Sequence, residues 1–314
     1  MEMRHLQNFI ALAEEGTFTA AARKINVVQS GISVTIKEME QELGVQLVNR
    51  TTRTVSLTHA GELFLTHARS SLAMLRDGIQ AVRSEDGIVR GRLHLGILQS
   101  LEPYVNLPML LQTFRIKYPQ VEFAVRSVNS GEVPAQVRSG YVDLGFHAIA
   151  SERELAGVRI IPFVHDVLVG ICSRTHALAK RGNVTFDALA EETFVDLTPE
   201  RALRQLLDQA CSHRNLHRNS VYQVSNVETL LQFVSAGLGV AVVPSGLARV
   251  AADSRQLHVL SFVKQDRSLP LWRVVIVTRS QQSTLPGKKT TVNLFLEALA
   301  NLTASTQEKI SRGR

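Results

Sequence analysis

The sequence predicts an α+β protein of several domains: a small helical front end, one long amphipathic helix, and a larger α/β region in two lobes. Three observations predict this. Two short helical patterns meet at a break near residues 26–28. A seam of apolar residues then recurs every three or four positions from Leu65 to Val82. From Gly91 onward strand patterns, among them 164–172 and 271–278, alternate with helical ones, which implies a parallel sheet with helices on its faces.

At the front, Leu6, Phe9, Ile10 and Ala13 mark a first amphipathic helix. Thr17 to Ile25 forms a second, and its run Ala20-Ala21-Ala22 lets another backbone lie close. After Asn26-Val27-Val28, the residues Ile32, Ile36, Met39 and Leu43 predict a buried helical stripe. Gln29, Ser30, Ser33, Thr35 and Lys37 are then expected on the open face, with side chains able to bond base edges and phosphates. A helical hairpin in an ordinary core has similar spacing but a less polar face. Two tightly joined helices with a polar second face predict a helix-turn-helix, whose second helix enters the DNA major groove. Gly44 suits the left-handed stop of that helix. The segment Arg50-Thr51-Thr52-Arg53-Thr54-Val55-Ser56-Leu57 reads as a β-wing, with Arg50 and Arg53 reaching phosphates or the minor groove. A solvated hairpin is the plainer account of the same residues.

Thr58 opens a helix expected over 59–84. Leu65, Ala68, Leu72, Leu75, Ile79 and Val82 form a heptad seam that needs a partner helix. The opposite face carries Arg69, Arg76, Asp77 and Arg83, and no second long helix follows to cover the seam. Self-association through this helix is therefore expected, which would hold two reading helices at a fixed separation.

The front module, followed by Leu57-Thr58-His59-Ala60-Gly61 and a dimerising helix, resembles the LysR-type bacterial transcription regulators. The resemblance continues through Gly91 to Ile97, Tyr118-Pro119-Gln120-Val121, Gly140 to Phe146 and Ala236 to Pro244, and covers about residues 3 to 300. It implies a winged helix-turn-helix (1–58), a linker helix (59–88) and a periplasmic-binding-protein-like effector domain (89–303). In that domain the chain is expected to cross from lobe I (91–163 and 266–303) to lobe II (164–265) and return, leaving 304–314 as a mobile tail.

Ligands of such sheets sit beyond the carboxyl ends of strands, where helix N-termini present unpaired amides. Here those positions are Gln99 and Ser100, Asn129 and Ser130, Phe146 and His147, Leu197 and Thr198, and Asn226. The resemblance assigns Ser100, Ser130 and Thr198 to effector contact. Ordinary helix capping accounts for each hydroxyl or amide taken singly.

The chain has 314 residues, 35 Lys and Arg against 28 Asp and Glu, and two cysteines. Two cysteines argue against a disulfide framework. The start carries no export signal and no apolar run suits a bilayer, so a cytoplasmic protein without a membrane partner is expected. The net charge of +7 does not itself argue for DNA. Residues 1–60 hold six basic and six acidic residues, and the excess lies beyond residue 90. Local placement of Arg23, Lys24, Lys37, Arg50 and Arg53 must therefore supply any affinity.

Several motifs fail on order or count. Gly237-Leu238-Gly239 ends a helix and begins a strand, the reverse of a phosphate loop. Cys211, His213 and His217 lack a fourth metal ligand. Cys172 and Cys211 lack the basic flanks of an activated thiolate. His147 and Asp196 are the only pair that tempts an enzymatic reading. Many members of the resembled family carry Arg-Gln where Val34-Thr35 stands, so a preference for A·T pairs at that position is expected.

The expected function is a sequence-specific transcriptional regulator controlled by a small-molecule effector, with Gln29, Ser30, Ser33, Val34 and Thr35 reading bases and Lys37, Arg50 and Arg53 holding the backbone. No cofactor and no catalysis are expected. Expected partners are double-stranded DNA, an organic-anion effector, a second copy through the linker helix, a tetramer through the effector domains, and RNA polymerase. The other reading is a small-molecule binding or carrier protein with an accessory helical domain.

Overall fold

The computed structural model describes residues 1–50, 54–83, 88–99, 101–150, 155–181, 183–263, 269–280 and 290–312. At the front, α1 (Met3–Glu15), α2 (Phe18–Lys24) and α3 (Gln29–Leu43) enclose a core of Phe9, Leu12, Ala21, Ala22, Ile32, Ile36 and Met39. Thr17 starts α2 by accepting a hydrogen bond from the Ala20 amide. Gly44 ends α3 at φ 69°, where a side chain would be strained. Leu43, expected in the buried stripe, lies in the last turn beside that stop and is 37% exposed.

The wing pairs β1 (Val48–Arg50) with β2 (Val55–Leu57) in antiparallel register. Glu40 Oε1 accepts the Leu47 and Val48 amides, which fixes the entry of the wing on α3. The helix α4 (His59–Arg83) starts under a Thr58 cap whose hydroxyl accepts the Gly61 amide. A Cβ at Gly61 would lie 2.0 Å from the Leu47 carbonyl oxygen, so the approach of wing to helix requires glycine. The seam of α4 divides. Leu65 and Ala68 pack into the front-end core, whereas Leu75, Ile79 and Val82 are 44%, 42% and 66% exposed.

The remaining chain forms two lobes. The first sheet has the order β4-β3-β5-β13-β6, from β3 (Gly91–Ile97), β4 (Val121–Ser127), β5 (Leu144–Ala148), β6 (Val158–Asp166) and β13 (Trp272–Arg279). Strands β3, β4 and β5 run parallel, while β13 runs antiparallel to both β5 and β6. Helices α5 (Leu107–Lys117), α6 (Val133–Arg138) and α11 (Thr291–Arg312) belong to this lobe.

The second lobe orders β11-β7-β12-β8, from β7 (Leu168–Ser173), β8 (Asn183–Val184), β11 (Ala241–Pro244) and β12 (Leu257–Phe262). Beside it lie β9 (Thr193–Leu197) and β10 (Asn219–Val224), with α7 (Phe186–Ala190), α8 (Ala202–His213), α9 (Val227–Ser235) and α10 (Ser245–Arg255). A parallel bridge between Phe194 and Val240 joins β9 to the larger sheet.

Three details differ from the sequence reading. The run 164–172, expected as one strand, divides at Val167, because the chain leaves the first sheet at Asp166 and enters the second at Leu168. The second lobe mixes antiparallel with parallel pairs. The polar segment expected to trail off after residue 303 instead continues α11 through Arg312. The return crossing expected near residue 265 lies outside the described residues.

Candidate functional site

The open face of α3 presents Gln29, Ser30, Val34 and Lys37 to solvent, with Ser33 half-buried. Val34 is 55% exposed, an apolar patch among these polar groups. Thr35 corrects the sequence reading. It is 8% exposed, and its hydroxyl accepts a hydrogen bond of 3.0 Å from Asn8 Nδ2. Three residues after Ile32 and four before Met39, it shares their inward face and cannot reach a base. Arg53 lies outside the described residues, as does the side chain of Arg50.

The start of α3 adds a group that side-chain reasoning missed. Its N-cap residue, Val28, makes no side-chain cap, and the first turn carries no acid. Uncapped amides at a helix start attract anions such as a backbone phosphate. The signal was an apolar residue where Ser, Thr, Asp or Asn usually stands.

Lys24 is not available as expected. Its Nζ lies 2.8 Å from Glu14 Oε2 and 2.8 Å from Glu15 Oε1. Glu14 also receives Arg69 Nη2 of α4 at 3.0 Å. Burial alone would raise the Glu14 carboxyl, but the hydrogen bonds and charges of Lys24 and Arg69 outweigh it and hold the group below its ordinary value.

The charged face of α4 is an intramolecular contact surface. Arg69 lies 4.5 Å from the centre of the Tyr141 ring, and Arg126 lies 4.2 Å from that centre. Arg76 Nη2 bonds Asp143 Oδ1 at 2.7 Å, and the Ser70 hydroxyl donates to the Arg138 carbonyl. Gly140 touches α4 directly: at φ 72°, its Cβ would fall 2.4 Å from that of Ala73. Asp143 is 4% exposed and also accepts the His94 amide at 2.9 Å. Burial pushes Asp143 up, but His94 and Arg76 outweigh it and keep the carboxylate below its ordinary value.

Between the lobes lies a small cavity. Lobe I contributes Leu98, Gln99, Val128, Ala148 and Trp272. Lobe II contributes Leu197, Arg201, Ala202, Leu203, Val227 and Leu247. Of the expected effector residues, Gln99 lies in this lining. Asn226 stands next to Val227, but its side chain caps α9 by accepting the Thr229 amide. Thr198 is not in this lining, and its hydroxyl donates to Glu200.

Phe146 and His147 are corrections. Both are fully buried within β5. Phe146 stacks edge-on with Phe163 at 5.2 Å, deeper in the sheet than Ala148. Strand alternation turns His147 to the other face, the one Gly145 presents to Val133 of α6. Ser100 lies outside the described residues, and the Ser130 side chain is not among those described.

The crossing between lobes is pinned by Asp166. It accepts the Tyr104 hydroxyl at 2.7 Å, the Ser245 hydroxyl at 2.5 Å and the Gly246 amide at 2.8 Å. Tyr104 comes from lobe I, while Ser245 and Gly246 begin α10 of lobe II. Burial would raise Asp166, but these donors more than offset that and lower it.

Elsewhere in lobe II, Asp196 lies 2.8 Å from Arg218 Nε and 3.5 Å from Arg204 Nη1. Asp196 is therefore spent on a buried ion group, and His147 belongs to the other lobe's sheet. Arg218 Nη1 also donates to Cys211 Sγ at 3.1 Å. Both cysteines are buried and unbridged, and burial pushes the Cys172 thiol up to about 11. Among the described residues no cluster of His, Cys, Asp and Glu has the form of a metal site, and no helix is long and apolar enough to cross a membrane.

A helix-turn-helix joined by one long helix to a two-lobed domain with a central cavity defines a ligand-binding DNA regulator. Residues 3–62 match the family described as bacterial regulatory helix-turn-helix protein, lysR family. Residues 86–302 match the LysR substrate binding domain. The chain thus belongs to the LysR family of transcriptional regulators. It is 31% identical to the HTH-type transcriptional regulator AlsR of Bacillus subtilis over 80% of this chain and 82% of that one. To the HTH-type transcriptional regulator YnfL of Escherichia coli it is 33% identical, over 87% and 92%.

The fold matches full-length OxyR from Pseudomonas aeruginosa with a TM-score of 0.71, covering 97% of this chain and 94% of that one at 22% identity. CbnR complexed with its target DNA matches with a TM-score of 0.63, covering 96% and 99% at 22% identity. The relatives are regulators rather than enzymes, and the chain is a DNA-binding transcriptional regulator with a small-molecule effector domain.

Proposed function

We propose that α3 reads its operator through Gln29, Ser30, Ser33 and Val34. Lys37 and the uncapped amides of the first turn take backbone phosphates, and Arg50 and Arg53 extend that grip from the wing. One observation carries this reading: α3 buries Ile32, Thr35, Ile36 and Met39 and turns a mostly polar face outward. Such a face suits base edges, while the cations fix register on the duplex.

Two copies join through the exposed half of the α4 seam, at Leu75, Ile79 and Val82, and effector domains assemble these dimers into tetramers. A small organic anion enters the cavity between the lobes. It shifts DNA bending or polymerase contact only by binding two arrangements with different affinity. A duplex-DNA partner supports a location in the bacterial cytoplasm.

The test is anisotropy of the full chain on duplex DNA from beside its gene, across a salt series. Lys37→Ala should weaken all sequences and lower the salt slope by about one. Replacing both Arg50 and Arg53 with alanine should flatten it further. Equal binding to the native and a scrambled duplex would reject the reading helix.

A further inference from the structure

We infer that the cavity between the lobes takes a short apolar monocarboxylate, and that Trp272 and Arg201 are the donors that select it. This rests on the effector reading of the cavity given above. Three observations converge on it.

The first is a pair of buried donors. Trp272 is 5% exposed, yet its Nε1 has no hydrogen-bond partner among the described residues. Arg201 Nε is likewise buried and unpartnered, although the same guanidinium donates to the Ser225 carbonyl through Nη2. Leaving a buried donor unpaired is costly, so two around one cavity point to an acceptor that arrives from outside. Trp272 stands on lobe I and Arg201 on lobe II, so one acceptor group held by both would bridge the lobes.

The second is the start of α8. Arg201 is its N-cap residue and supplies no side-chain cap. The first residues of that helix, Ala202 and Leu203, line the cavity. Their amides and the helix dipole favour negative charge at the same place. No Asp or Glu is in the lining to oppose it.

The third is the remainder of the wall. Leu98, Val128, Leu197, Pro244 and Leu247 make it apolar, and Gln99 is its one polar side chain. The cavity is about 50 Å³, room for about four waters. An acid of about two to four carbons fits, with the carboxylate on the donors and the chain on the leucines and valine. A polyhydroxylated or dibasic acid would bury more hydroxyls, or a second charge, than the single Gln99 amide could partner.

The test is titration calorimetry and thermal shift on the full chain with acetate, propionate, butyrate, benzoate and propionamide. The expected result is binding by a short acid, with the matching amide at least tenfold weaker. Trp272→Phe keeps a ring but removes the N–H, and Arg201→Lys removes Nε. Each should weaken the acid about tenfold while leaving the unliganded melting temperature within a few degrees.

Leu203→Trp fills the cavity and serves as the second variant. If an acid binds and Leu203→Trp abolishes it, but Trp272→Phe does not weaken it, the donor assignment falls and the cavity reading stands. If binding survives Leu203→Trp, both fall. No binding by acetate, propionate or butyrate, binding of benzoate as tight as theirs, or equal binding of propionamide, overturns the proposal.

Discussion

The guanidinium of Arg69 lies over the ring of Tyr141 at 4.5 Å, and the same guanidinium bonds Glu14 at 3.0 Å. One side chain on the long helix therefore touches the first helix of the DNA reader and the first lobe of the effector domain. Arg126 on the other contact to Tyr141 completes a stack of cation, ring and cation. A cation over an aromatic ring contributes about 0.5–2 kcal/mol, depending on desolvation.

That relationship makes the first prediction. In a double-mutant cycle, Arg69→Ala and Tyr141→Leu should couple by about 1 kcal/mol. Strict additivity in their melting free energies would show that the contact contributes nothing.

Gly140 makes a second. It combines positive φ with a Cβ position 2.4 Å from Ala73. Gly140→Ala should cost about 2 kcal/mol or more, from backbone strain and the clash together. Adding Ala73→Gly should recover the clash component but not the strain. Hydrogen exchange of α4 is the direct readout, since the variant should open that helix away from the lobe. Unchanged protection in Gly140→Ala would refute the contact.

Asp143 sets the acid limit of the joint. Its folded carboxyl titrates below the ordinary 3.8. Its stabilisation is therefore complete above the ordinary value and is lost as pH falls through the depressed one. Asp143→Asn should flatten that acid limb. At neutral pH it should destabilise by about 1–2 kcal/mol, because Arg279 and the one-third exposed Arg76 lose their buried counter-charge. A variant with the parent's full acid dependence would place the titration elsewhere.

The reader offers a paired test of inward against outward. Thr35→Val removes the acceptor for Asn8 and should cost about 1 kcal/mol of stability while leaving base preference intact. Val34→Arg should do the reverse, changing preference at one operator position with little effect on melting. Swapped outcomes would mean that α3 turns Thr35 outward and Val34 into the core.

Much of this was legible beforehand, and what was not has physical causes. The buried stripe of α3, its Gly44 stop and the Thr58 cap follow from spacing and from residue types with one preferred conformation. Thr35 was misplaced because a hydroxyl reads as polar, whereas its position three residues after Ile32 puts it among the apolar side chains. The contact made by the charged face of α4 was not legible, because sequence cannot show that Tyr141 and Asp143 lie opposite it. Phe146 and His147 sit on the strand that leads to the cavity, and only Ala148 at its end arrives there. Trp272 was hidden because its strand entered the sequence reading as one more apolar run.

The uncovered aliphatic row at Leu75, Ile79 and Val82 has a genetic corollary. On the dimer proposed above, a subunit with a damaged α3 but an intact row would still capture a healthy sister and spoil its grip, so such alleles should be dominant in a merodiploid. Alleles that place a charge within the row should instead be recessive, because their products never meet the normal ones.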